Sequence, residues 1–226
     1  MDIEKIPSII EGMQKDISFL KSEISAVKGE RIEHKAEISA SKQEIFSKFS
    51  YDLAVMTKDE KVYYIDNIPD EIELEDVDGI VLPLLDRRLV LVYPKFKDNC
   101  KLLPDGADWK APKLSECEAL YYEGNGEQET TDLLALGSEA AKYVRNVADH
   151  RKFNLPFNLQ VLFALHHYKA EFNELVKHIE GADEYNPSYA WSSCRYNTNN
   201  AWNYNNNGNT NNNNFYNGLT AVPCVN

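Results

Sequence analysis

The chain has 226 residues, 43% of them apolar and 11% aromatic, enough for one sizeable core in a large domain or in a smaller domain with an appendage. Its formal net charge of −12 argues against a nucleic-acid or anionic-membrane partner. Met1-Asp2-Ile3-Glu4-Lys5 lacks the basic start and apolar core of a signal peptide, and no apolar run reaches the length of a membrane span, so synthesis in the cytoplasm without membrane insertion is expected.

Residues 1–49 read as an oligomerisation stalk. Ile3, Ile10, Ile17, Ile24, Ile38 and Ile45 recur at heptad spacing, and Ile6, Met13, Leu20 and Val27 follow the first four by three positions. That is the a/d seam of a coiled coil. The flanks agree: Lys21, Lys28, Lys35 and Lys42 fall at e, and Asp16, Glu23, Glu30, Glu37 and Glu44 at g. Acid at g and lysine at e attract across parallel helices, whereas antiparallel packing would set acid against acid. Ile at nearly every a position with mixed aliphatics at d leans to three strands, so a parallel homotrimer through residues 3–48 is expected. Pro7 is tolerable only in the first helical turn, and Arg31, His34 and Ser41 interrupt the seam.

Residues 50–78 read as a short β linker or collar. Tyr51–Met56 and Lys61–Ile65 look like strands around a turn at Lys58-Asp59-Glu60, followed by an acidic connector from Asp70 to Asp78 without recognisable cation-loop spacing. Gly79–Leu84 and Arg88–Tyr93 are Val/Leu/Ile-rich strands joined at Asp86-Arg87. Residues 96–136 look like a long irregular insertion anchored by Trp109, Tyr121 and Tyr122. Ser138 is the expected N-cap of a helix with Ala140, Ala141, Tyr143, Val144 and Val147 on its apolar face. A longer helix follows Pro156, its stripe running from Leu159 through Leu162, Phe163, Tyr168, Phe172, Leu175 and Val176 to Ile179. Strands, two helices and then more strands predict an α+β architecture.

The end of the chain is the most informative part. Most positions from Asn197 to Asn217 are Asn, but Trp191, Trp202, Tyr204, Phe215 and Val222 interrupt them at intervals suited to buried anchors. Anchors separated by short hydrogen-bonding side chains are what a recognition surface on a rigid scaffold needs. Trp191-Ser192-Ser193, Asn199-Asn200-Ala201-Trp202, Asn207-Gly208-Asn209, the run Asn211–Asn214 and Val222-Pro223-Cys224-Val225 together resemble the variable proteins of diversity-generating retroelements. In that family a reverse transcriptase miscopies adenines, so that Asn codons become nearly any residue. The resemblance covers residues 79–226, with Pro223 and Cys224 departing from the usual final motif and Phe153 replacing the Trp of a Trp-x-Leu-Pro motif.

The resemblance implies a C-type lectin-like domain over 79–226, with a variable region at about 191–225. It implies a ligand-binding face of Tyr196, Asn197, Asn199, Asn200, Asn203, Tyr204, Asn205, Asn206, Asn209, Asn211, Asn212, Asn213, Asn214, Tyr216 and Asn217 on a scaffold of Trp191, Ser192, Ser193, Ala201, Trp202 and Gly208. It further implies a phage or prophage tail adhesin, carried on the virion, that binds a host-surface protein or glycan. The alternative is a structural tail-fibre or lectin-like carbohydrate-binding protein with a fixed face. Because Asn dominates, this copy reads as close to an unmutated template, and weak binding at each single site is expected.

Catalysis is not expected. No nucleophile elbow, phosphate loop or zinc motif is present, and His166 and His167, adjacent on a helix, diverge too far to share a metal. The Glu-Pro-Asn and Trp-Asn-Asp signatures of calcium-dependent lectins are missing, so neither a metal nor another cofactor is expected. Cys100, Cys117, Cys194 and Cys224 lack metal spacing and read as free thiols, a Cys194–Cys224 bridge being the alternative left open. The two tryptophans read as core anchors, or else as an aromatic platform for sugar.

Overall fold

A computed structural model describes residues 53–69, 72–86 and 88–225. The chain divides into units Met1–Ser50 and Tyr51–Asn226, and the expected stalk through 3–48 lies outside the described residues, as do Asp70, Glu71 and Arg87. The described part is mixed α+β. Its strands are β1 (Ala54–Thr57), β2 (Val62–Tyr64), β3 (Ile72–Glu73), β4 (Val77–Pro83), β5 (Leu89–Val92) and β6 (Lys97–Lys101). Helices α1 (Glu116–Leu120), α2 (Gly126–Ala135), α3 (Glu139–Asn146), α4 (Leu159–His167) and α5 (Lys169–Val176) follow. The chain ends with β7 (Ile179–Glu180), β8 (Tyr189–Arg195), β9 (Asn200–Asn205), β10 (Thr210–Asn214), β11 (Gly218–Ala221) and β12 (Cys224–Val225).

Two five-stranded sheets carry the domain. The first has the order β12-β5-β4-β1-β2, all antiparallel, and the second β10-β9-β8-β11-β6; β3 and β7 form a separate parallel pair. Strand alternation gives the second sheet two buried faces. On β8 and β9 the even positions Ala190, Cys194, Trp202 and Tyr204 enter one core, with Ile80, Val90, Leu162 and Phe172. The odd positions Trp191 and Ala201 enter another, with Leu102, Leu133, Val144 and Phe215. In β4, a Cβ on Gly79 would lie 2.7 Å from Leu91 Cγ and 2.9 Å from the Val92 carbonyl oxygen, so the approach of β5 requires glycine there.

Three expectations are corrected. Residues 50–78 are not a collar outside the domain: β1 sits inside the first sheet between β2 and β4, with Val55 wholly buried, and the expected boundary at 79 falls within β4. Residues 96–136 are not an irregular insertion, for they supply β6, α1 and α2. Trp109 is buried as expected, but Tyr121 is exposed. The start of α1 is fixed by a capping box, Ser115 Oγ accepting from the Glu118 amide while the Glu118 carboxylate accepts from the Ser115 amide. The long second helix is two helices broken at Tyr168 (φ −97, ψ 20), and Ile179 belongs to β7. The Ser138 cap is as expected, accepting from the Ala141 amide at 3.0 Å. All four cysteines are free, so Cys194 and Cys224 are not bridged. No helix among the described residues is long and apolar enough to cross a membrane.

Candidate functional site

The Asn-rich strands hang on buried aromatic side chains whose polar atoms are all directed at backbone. Trp191 is wholly buried, and its indole N–H donates to the Cys100 carbonyl at 2.8 Å, tying β8 to β6. The Trp202 indole N–H donates to the Leu114 carbonyl at 2.8 Å, and Ser192 Oγ donates to the Trp202 carbonyl at 2.8 Å. Phe215 meets Trp109 edge-on at 5.3 Å. Both tryptophans are therefore anchors, and their burial is incompatible with the sugar-platform reading. Ser193 and Ala201 are buried as well.

The connection from β9 to β10 is built on asparagine. Asn205 Oδ1 accepts from the amides of Asn207 and Asn209, both at 3.0 Å, and the Tyr204 hydroxyl donates to the Gly208 carbonyl at 2.8 Å. Gly208 has φ +83, and a Cβ there would stand 2.8 Å from His166 Nε2. Gly208→Ala is accordingly expected to cost about 1–3 kcal/mol of stability; equilibrium denaturation checks this, and an unchanged midpoint would contradict the stated geometry. Before β9, Asn197 Oδ1 accepts from the amides of Asn199 and Asn200, both at 2.9 Å. Across the hairpin Asn200 Nδ2 donates to Asn212 Oδ1 at 2.8 Å, and Asn217 Nδ2 donates to Asn213 Oδ1.

The predicted face divides by exposure. Tyr196, Asn199, Asn206, Asn209, Asn211 and Tyr216 are exposed, while Asn197, Asn200, Asn205, Asn212, Asn213, Asn214 and Asn217 are half-buried. Tyr196 stands edge-on against Trp202 at 4.9 Å. Two residues are corrected. Tyr204, which the sequence places both among the anchors and on the face, is a core anchor, with ring centroids 6.3 Å from Phe163 and 5.7 Å from His166. Asn203 is wholly buried, and neither of its amide atoms has a partner among the described residues. Strand alternation explains the pair: β9 lies between β8 and β10 with both faces covered, so no central side chain of β9 reaches solvent. Asn207 and Thr198 are exposed in the same loops and were missed, although both lie inside the Asn run. Glu116 and Arg195 support the segment. Thr210 donates to the Glu116 carboxylate, and Arg195 Nε donates to the Asn197 carbonyl at 2.8 Å.

The electrostatics are those of a scaffold. Burial, with Glu129 nearby, pushes the Cys194 thiol up, and burial alone does the same for Cys224, so neither is an available nucleophile at neutral pH. His166 is held below its ordinary value by burial and then by Lys169 and His167. Glu129, which accepts from Ser193 Oγ at 2.8 Å, is raised above its ordinary 4.5 by burial, against lowering by Ser193 and Tyr122. A carboxyl raised on folding favours the native state below its unfolded value and loses that contribution as pH rises through the folded value. Glu129→Gln is therefore expected to melt higher than the parent at pH 7, with the gain vanishing near pH 4. Melts at both pH values check this, and a destabilised variant at pH 7 would contradict it. Among the described residues no group of three or more His, Cys, Asp or Glu is placed to hold a metal ion.

The fold and this segment define an α+β domain that presents an amide-lined hairpin at a sheet edge, β10 being the outermost strand. Comparison with family models, with curated proteins and with solved structures gave no match.

Proposed function

We propose that this chain is a binding protein of the diversity-generating-retroelement type: a C-type lectin-like domain on a parallel, trimeric stalk through residues 3–48, serving as a phage or prophage tail adhesin for a host-surface protein or glycan. The observation that carries the reading is the separation of roles within one short segment. Trp191, Ala201, Trp202 and Phe215 are buried, while Asn199, Asn206, Asn209, Asn211, Tyr196 and Tyr216 are exposed between them. Side chains of the second set can be exchanged without disturbing the first, except at Tyr196, whose ring packs edge-on against Trp202. The motif resemblance adds the mechanism of exchange. A segment with amides and phenols outward and its thiol buried supports a reading of binding over catalysis, and three linked copies would offset weak single-site affinity through avidity.

One observation favours the alternative of a fixed face. Asn197, Asn205, Asn211 and Asn213 spend their side-chain oxygens on nearby backbone amides, which is a structural use of asparagine. Sequencing the coding DNA across a propagated population separates the two. Diversification confines substitutions to the exposed and half-buried Asn and Tyr codons between 196 and 217, whereas an invariant or evenly varied segment would eliminate it. Sedimentation of the full chain tests the trimer, which a monomer at micromolar concentration would refute.

A further inference from the structure

A cavity of about 610 Å³ lies outside the Asn-rich segment. Its wall comes from the start of α2 (Gly126, Glu127), the α3–α4 connection (Arg151, Lys152, Asn154), the start of the β5 hairpin (Arg88), Phe157 and β12. On a chain of net charge −12, this wall carries three basic side chains and one acid. The two arginines are held rigidly. Arg88 Nε and Nη2 donate to Asp86 Oδ2 at 2.9 and 2.6 Å, and the guanidinium lies 5.2 Å from the Phe157 ring centroid. Arg151 Nε and Nη2 donate to Asp78 at 2.7 and 2.6 Å. In each arginine the Nη1 donors are not spent on that pairing. Lys152 makes no ion pair among the described residues.

The acceptor side is equally defined. Asn154 is fixed by reciprocal backbone bonds with Cys224 at 2.8 and 2.9 Å, and its Oδ1 is buried without a partner among the described residues. A carbonyl oxygen in that condition lacks a donor; it is closed off from solvent, so an occupant's N–H or O–H reaches it once the Asn154 amide turns towards the cavity it lines. An anion of several charges, such as polyphosphate, fits poorly: the Glu127 and Gln128 amides at the start of α2 are already taken by Asn125 Oδ1, both guanidinium charges are countered, and beside the Glu127 carboxylate only the Lys152 charge is left to offset an anion. What remains is one uncountered ammonium, spare guanidinium N–H donors and two acceptors, in a volume that suits a hexose or disaccharide.

We propose that this cavity binds an acidic saccharide of the uronate class, its carboxylate at Lys152 and the spare arginine donors and its hydroxyls on Asn154 Oδ1 and Glu127. Such a site would be constant, and its contact with an acidic sugar surface independent of the amide-lined hairpin. The test is titration of the full chain with glucuronate, glucose and inorganic phosphate, read by calorimetry and by backbone amide shifts. Glucuronate is expected to bind at least tenfold tighter than glucose or phosphate and to shift the amides of Gly126, Asn154 and Val225. Lys152→Glu, an exposed change that leaves the core untouched, should weaken it at least tenfold, and Lys152→Arg should largely restore it. Absence of glucuronate binding, equal binding of glucose or phosphate, shifts confined to 196–217, or an unaffected Lys152→Glu variant would overturn the proposal.

Discussion

Trp191→Ala is expected to lower the thermal midpoint of the domain by about 10 °C or more. The side chain is wholly buried in the core formed with Leu102, Leu133 and Phe215, and its removal leaves a cavity that the strands on either side cannot close. Large-to-small changes of this kind cost about 3–5 kcal/mol, and about 2–4 °C accompanies each kcal/mol in a domain of this size. The substitution also orphans the Cys100 carbonyl, which the indole N–H satisfies at 2.8 Å. Differential scanning calorimetry decides the matter. A fall under about 3 °C would mean that β8 does not depend on this anchor, and the separation of scaffold from exchangeable positions would lose its basis.

Asn203→Val is expected to act in the opposite direction. The amide is wholly buried with neither atom partnered among the described residues, and each such group costs about 1–3 kcal/mol. Valine has nearly the same volume and a higher strand propensity, so the midpoint should rise by several degrees. Asn211→Val, on the exposed edge strand, serves as the comparison: it gives up one exposed hydrogen bond from the Asn212 amide and should gain no stability, losing at most about 1 kcal/mol. Chemical denaturation of the two variants side by side checks both. A loss of stability in Asn203→Val would show that its amide is satisfied and that position 203 is built for asparagine.

The parts of the fold legible in the sequence were those with a short-range signal. The strands around Lys58–Glu60 show in their alternation, the Ser138 helix in its cap, and the anchor role of Trp191, Trp202 and Phe215 in their spacing against a polar background. What sequence did not reveal depended on long-range packing. Nothing local says that β1 inserts between β2 and β4, or that the break at Tyr168 divides one apolar stripe into two helices. The capping box at Ser115 and Glu118 was available as a sign of α1, but turn-forming residues around it hid it. Asn203 and Tyr204 fall on the outer face by the family resemblance, and only the covering of both faces of β9 removes them.

The pairing of β12 with β5 has a consequence for biosynthesis. Because Cys224 and Val225 complete the first sheet beside Val92 and Leu91, that sheet stays unsealed until the ribosome has passed the entire Asn-rich stretch. A premature stop introduced anywhere in that stretch strips off the sealing strand and leaves the β5 border bare, a ready substrate for proteases. Chains that stop short of Cys224 therefore lack the strand that pairs with β5.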